Sequence, residues 1–198
     1  MINTMQKTAI LILAAGSASR MGKIKQLLPY KNTTLLEWAI EQAQKLTVKN
    51  VFCVLGANKD AIEKQLTTKN VEVIYNPNYK NGLSTSIVEG INFLQKHNFD
   101  NALIMLSDQP HVTSEYLSSM IETSKNNPSK IIASNYQVSV GVPAIFPKIF
   151  FNDLLNLKGD KGAKKILLQH DKNVVKVNSS QNLLDIDTPE DYQHLLKQ

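Results

Sequence analysis

A run of small residues, Ala14-Ala15-Gly16-Ser17-Ala18-Ser19, leads out of an apolar segment into Arg20, the only arginine among 22 basic residues. So little side-chain bulk leaves backbone amides free to face a ligand, and successive N–H groups in such a loop form an anion-binding concavity. Arg20, Lys23 and Lys25 add positive charge at its far end, so the loop reads as a cradle for a polyphosphate. A planar guanidinium grips two phosphate oxygens at once, whereas an ammonium acts as a point charge. A chain that otherwise uses lysine has kept one such fork beside this loop. The spacing matches neither the Walker loop nor the GxGxxG dinucleotide fingerprint.

Carboxylates supply the complementary half of the chemistry. Asp108 follows the apolar run Ala102 to Leu106 and precedes Gln109-Pro110, where a carboxylate would project over a sheet edge toward the first loop. Facing a polyphosphate, it would need a divalent cation in between, and magnesium is the usual oxygen-ligated choice. The plainer alternative is a turn-forming Asp before a proline. In Asp185-Ile186-Asp187-Thr188-Pro189 the two aspartates share one face of an extended segment while Ile186 faces inward. Asp187 and Asp185 could then complete a metal site with Asp108. Gly82 to Ser86 is a second small-residue turn at a helix start. Gly141-Val142-Pro143 and Gly159-Asp160-Lys161-Gly162 are glycine-marked turns in the later half, where a second substrate would be held. No hydrolytic triad is present, and the four histidines show no metal-ligand spacing.

These residues need a scaffold, and the hydrophobic pattern predicts one. Strands are expected at Thr8 to Leu13, Val51 to Leu55, Val71 to Tyr75 and Ala102 to Leu106. They alternate with helices from a Thr34/Glu37 capping box to about Leu46, over Asp60 to Leu66, over Ser84 to about His97 and over Ser114 to about Ser124. Such alternation predicts an α/β fold with a doubly wound, mostly parallel sheet, whose ligands sit beyond the carboxyl ends of the strands. After Ile131 the order loosens. Strands are expected at Ile131 to Tyr136, Val138 to Phe146 and Asn173 to Val177, with helices near Ile149 to Leu157, over Gly162 to Gln169 and from Pro189, capped by Thr188.

At 198 residues and 42% hydrophobic, the chain suits one domain with one core. Within it, the N-terminal half carries the polyphosphate loop, and the residues after about 131 would hold a second substrate. The net charge of +5 comes from scattered lysines without an aromatic-interleaved basic patch, so nucleic acid is not an expected partner. Cys53 lies in an apolar strand and reads as a core residue. No segment is long and apolar enough to span a bilayer, and a cytoplasmic location is expected.

The motif Leu13-Ala14-Ala15-Gly16-x-Ser-x-Arg20-Met21-Gly22-x-x-Lys25-x-Leu-Leu-Pro29 is followed in order by Asn76-Pro77 through Gly82 to Ser86, and then by Asp108-Gln109-Pro110. Gly141-x-Pro143, Gly159-Asp160-x-Gly162-Ala163 and Asp185-Ile-Asp187-Thr-Pro189 complete the set. It resembles the molybdopterin nucleotidyltransferase family of molybdenum cofactor biosynthesis across nearly the whole chain. The Ala-Ala-Gly opening is similar to its cytidylyl branch. The resemblance implies a Rossmann-like fold of the GT-A type and a magnesium-dependent transfer of CMP from CTP, or of another nucleotide from its triphosphate. The acceptor would be the terminal phosphate of molybdopterin, with pyrophosphate released. Carried over, Leu13, Ala14, Ala15, Gly16, Ser17, Arg20 and Lys25 would hold the triphosphate, and Gly82 and Ser86 would lie near base and ribose. Asp108 would bind magnesium with Asp187, and Arg20, Lys25 and Asp108 would carry the catalysis. Gly141, Pro143, Asp160, Lys164 and Asp185 would face the acceptor. The family often has arginine where this chain has Lys164. A transient molybdoenzyme or chaperone partner is also implied. Two other readings stay open: a cytidylyl- or uridylyltransferase for a sugar or polyol phosphate, and a non-catalytic nucleotide or molybdopterin carrier.

Overall fold

Strand β1 (Thr8–Ala14) is seven residues without a formal charge, and six of them are buried. An uncharged run buried on both faces belongs in the middle of a sheet. A computed structural model, which describes residues 6–17, 21–66 and 70–197, places it there. β1 pairs in parallel with β4 (Val51–Leu55) on one side and β6 (Asn101–Leu106) on the other, and β5 (Glu72–Tyr75) extends the sheet beyond β4. A separate two-residue hairpin, β2 (Pro29–Tyr30) with β3 (Thr33–Thr34), was not expected from the sequence.

The later half completes the sheet in the order β5-β4-β1-β6-β8-β7-β9. β7 (Ile131–Asn135) and β8 (Val140–Pro147) are joined by a short turn in which Gln137 takes φ 65°. A connection this short forces antiparallel pairing, so among the described residues β8 is the one reversed strand of this sheet. β9 (Val174–Asn178) then runs parallel to β7. The architecture is therefore the expected α/β, Rossmann-like fold with a mostly parallel sheet.

Alternation along the strands divides the core into two faces. Leu11, Leu13, Val54 and Ile104 pack with α3 (Leu83–Lys96), α5 (Phe151–Leu155) and α6 (Lys164–Gln169). Ile10, Ile12, Leu55 and Met105 pack with α1 (Leu35–Gln44), α2 (Lys59–Gln65) and α4 (Ser114–Asn126). The capping box expected at Thr34 and Glu37 is present. The helix expected over 149–157 is shorter, because a tight 3-10 turn at Lys148–Phe150 precedes α5. A small third cluster joins Leu28, Leu35 and Ile186 to Leu195 of the last helix, α7 (Pro189–Leu195). It anchors the segment that carries Asp185 and Asp187.

Candidate active site

The site begins where β1 and β6 end. Their register pairs Leu13 with Leu106, and Ser107 N–H donates to the Leu13 carbonyl at 3.3 Å. Parallel pairing thus brings the loop after Ala14 beside Asp108. Gln26, only 3% exposed on the turn Lys25–Leu27, donates through Nε2 to the carbonyls of Ala14 (2.8 Å) and Gly16 (2.9 Å). Ala57 N–H donates to the Ala15 carbonyl at 3.0 Å. In a trans peptide the N–H points opposite to the preceding carbonyl. The amides of Ala15, Gly16 and Ser17 are therefore turned away from these protein partners, as a phosphate cradle requires. Sequence reading missed Gln26, since a lone glutamine between lysine and leucine carries no motif signal. Arg20 lies outside the described residues.

Facing the loop, Lys25 Nζ forms ion pairs with Asp108 and with Asp187, the latter at 3.1 Å. Burial alone would lower the Lys25 pKa, but the charge and hydrogen bond of Asp108, with Asp187 behind it, hold it above its ordinary value. The side chains of Lys25 and Asp108 are 15% and 14% exposed, and that of Asp187 is 55% exposed. Asp108 Oδ1 is buried without a hydrogen-bond partner. Ile186 N–H donates to the Asp108 carbonyl at 3.0 Å, which ties the two acidic segments together. Next to them, Gln109 Nε2 donates to Asp185 Oδ1 (2.8 Å) and to the Tyr136 hydroxyl (2.9 Å). Burial of the carboxyl, then the Asp108 charge, raises the Asp185 pKa to about 6. Gln109 was noted in the sequence only as part of a motif, and its bridging role needed tertiary contacts to be seen.

Two adjoining cavities open on these groups. The larger, about 930 Å³, is lined by Leu13, Ala14, Ala15, Gly16, Ser17 and Lys25 from the first motif, by Gly82 and Ser86 from α3 and its cap, and by Asp108, Asp160, Asp185 and Asp187. Every described residue named above for nucleotide and metal thus borders one space. The smaller, about 350 Å³, is chiefly aliphatic and includes Gly141, Lys164 and Asp185. Leu13, Leu83, Leu106 and Asp185 border both. Pro143 borders neither. It is buried in β8, with its carbonyl accepting from Ser134 Oγ at 2.7 Å. No histidine lines either cavity.

The two glycine turns meet each other. Gly82 adopts φ 104°, and a Cβ there would stand 2.4 Å from the Gly159 backbone. Ser84 N–H donates to the Gly159 carbonyl at 3.1 Å, fixing the turn before α6 onto the start of α3. Buried Asn76 donates to Ser86 Oγ at 3.0 Å and so orients that hydroxyl at the cavity wall.

Among the described residues, no group of three or more His, Cys, Asp or Glu could hold a metal by itself. Two carboxylates nevertheless converge on one cation, and one of their oxygens is buried and unpartnered. That donor set would suit a hard divalent cation that took its remaining ligands from a phosphate and water. No helix among the described residues is long and apolar enough to cross a membrane.

Residues 10–174 match the family described as MobA-like NTP transferase domain. The chain is 25% identical over 182 residues to the molybdenum cofactor cytidylyltransferase of Escherichia coli strain K12, covering 92% of each. It is 26% identical over 193 residues to the purine catabolism protein PucB of Bacillus subtilis strain 168, covering 91% of each. Among solved structures, Rv0371C of Mycobacterium tuberculosis H37Rv in complex with manganese superimposes with a TM-score of 0.82 at 26% identity, covering 97% of this chain and 99% of that one.

Proposed function

The chain belongs to the MobA-like NTP transferase family, and from that premise we propose that this nucleotidyltransferase moves CMP from CTP to the terminal phosphate of a molybdopterin-type acceptor, with magnesium, and releases pyrophosphate. The observation that carries the reading is the single cavity bordered by the loop after β1, by Lys25 and by Asp108 and Asp187. The loop amides and Lys25 would hold the triphosphate, and Asp108 and Asp187 would hold the cation. That cation would neutralise charge on the reacting phosphates. A phosphate monoester is already an anionic nucleophile, so attack at the α-phosphorus asks for alignment and charge neutralisation rather than for a base. The absence of histidine from both cavity walls fits that requirement.

The acceptor enters through the smaller cavity. Leu83, Ile87, Ile104, Leu106, Val142 and Leu183 make its walls aliphatic, with polar groups only at Gln109, Tyr136, Ser139, Lys164 and Asp185. A sugar or polyol would leave most of its hydroxyls facing hydrocarbon, whereas a flat heterocycle buries its faces and satisfies its edge. This favours a pterin over a sugar phosphate. Such an enzyme would work in the cytoplasm and hand its product to a molybdoenzyme or its chaperone. Pyrophosphate release measured with magnesium, each of the four nucleoside triphosphates and molybdopterin tests the proposal. Release with CTP that depends on molybdopterin is the expected result. Release only with a sugar phosphate, or none with any acceptor, would reject it.

A further inference from the structure

The ammonium of Lys25 stands where the two carboxylates proposed for the metal converge. It pairs with Asp108 and Asp187 at once, while the same residue borders the cavity beside Ala14 to Ser17. We infer that Lys25 is a displaceable internal cation, which keeps a free divalent ion off Asp108 and Asp187 until a nucleoside triphosphate arrives to take the ammonium. The inference rests on the reading of the larger cavity as a metal–nucleotide site.

The argument is one of charge and place. Asp108 and Asp187 bring two negative charges and Lys25 returns one positive charge, so the trio is already partly neutralised. A divalent ion entering alone must compete with the ammonium of a lysine whose side chain, like that of its main partner Asp108, is largely buried, and must strip that ammonium of its carboxylate partners. A metal–triphosphate complex removes this difficulty. It brings phosphate oxygens to the loop, and Lys25 can exchange carboxylate partners for phosphate ones within the same cavity. Lys25 sits on a short turn whose neighbour Gln26 holds the loop, so the backbone stays in place while the side chain changes partner. The consequence is strong positive coupling between metal and nucleotide, which must act equally in both directions.

The test uses Mn2+ as probe, read by the loss of the free-ion signal in electron paramagnetic resonance, without nucleotide. Lys25→Met and Lys25→Gln are expected to bind free Mn2+ at least tenfold more tightly than wild type, while Lys25→Arg, which keeps a cation on the carboxylates, gains nothing. Two neutral variants are used so that one misfolded protein does not decide the matter, and circular dichroism verifies each. Calorimetry of CTP with and without Mn2+ should show a larger metal-induced gain in affinity for wild type than for Lys25→Met. Equal binding of free Mn2+ by wild type and both neutral variants would overturn the inference. Failure of wild type to bind CTP under any condition would instead reject the nucleotide reading, and the free Mn2+ comparison would still decide the role of Lys25.

Discussion

Asp108 and Asp187 differ in a way that sets their expected contributions. Asp108 is largely buried and carries the unpartnered oxygen, whereas Asp187 is more than half exposed. Asp108→Asn should therefore lower turnover at least a hundredfold, about 2.7 kcal/mol of transition-state stabilisation, with little rescue by added magnesium. Asp187→Asn should be milder, because an amide oxygen still ligates a metal. Steady-state pyrophosphate release checks both. Arg20→Lys keeps charge but loses the bidentate fork, and turnover should fall more than tenfold with an unchanged melting temperature. An easily unfolded variant with full specific activity would make that arginine structural. Cys53 is an opposite case. It is wholly buried in β4, and burial pushes its thiol up to about 12. It should resist thiol reagents in the native protein and react fully in denaturant. Since the unfolded thiol loses its proton from about pH 9 and the native one does not, this residue makes stability fall as pH rises from about 9 toward 12.

Between elements, the sharpest demand is the contact of the α3 cap with the turn before α6. Gly82→Ala combines a positive φ with a backbone collision at 2.4 Å, and neither can relax through a side chain. It should cost about 2–3 kcal/mol in urea unfolding and lower turnover, since the displaced turn carries Asp160 on the cavity wall. Gly159→Ala is the matched control. Its φ is 65°, but a Cβ there meets open space, so only the conformational penalty of about 1 kcal/mol applies. Equal losses for the two would mean that the close approach is not what requires glycine at 82.

For the molecule as a whole, ligand binding should appear as stability. The loop after β1, the acidic segment before α7 and the start of α3 are held to the sheet by a few local contacts, and a metal–nucleotide complex would bind only when all are in place. At one hundred times its dissociation constant a ligand adds about 2.7 kcal/mol, which for a chain this size raises the melting temperature by roughly 5–10 °C. CTP with magnesium should give that shift. GTP should give a smaller one, because the Ala14-Ala15-Gly16 opening is similar to the cytidylyl branch of the family. A larger shift with GTP would overturn the choice of base and leave the fold untouched.

The alternation of apolar strands with capped helices was legible in the chain itself, because hydrophobic period and cap chemistry are local properties. So were the loop of small residues and the aspartates that follow apolar runs, because residue type and spacing are also read along the chain. What the sequence could not disclose was pairing across distance. The reversed β8 depended on a short turn after β7. The pairing of Asp108 with Asp187 was expected from their motifs, but that Lys25 stands between them, on a segment held by Ile186 packing on Leu28, Leu35 and Leu195, took the tertiary structure to see. Gln26 under the loop, Gln109 between Asp185 and Tyr136, and Gly82 against Gly159 are likewise contacts between segments remote in the chain or unmarked by local pattern. Residue type announces what chemistry a side chain can do. Only packing decides which partner it meets, because that is set by the burial of the apolar neighbours that carry it.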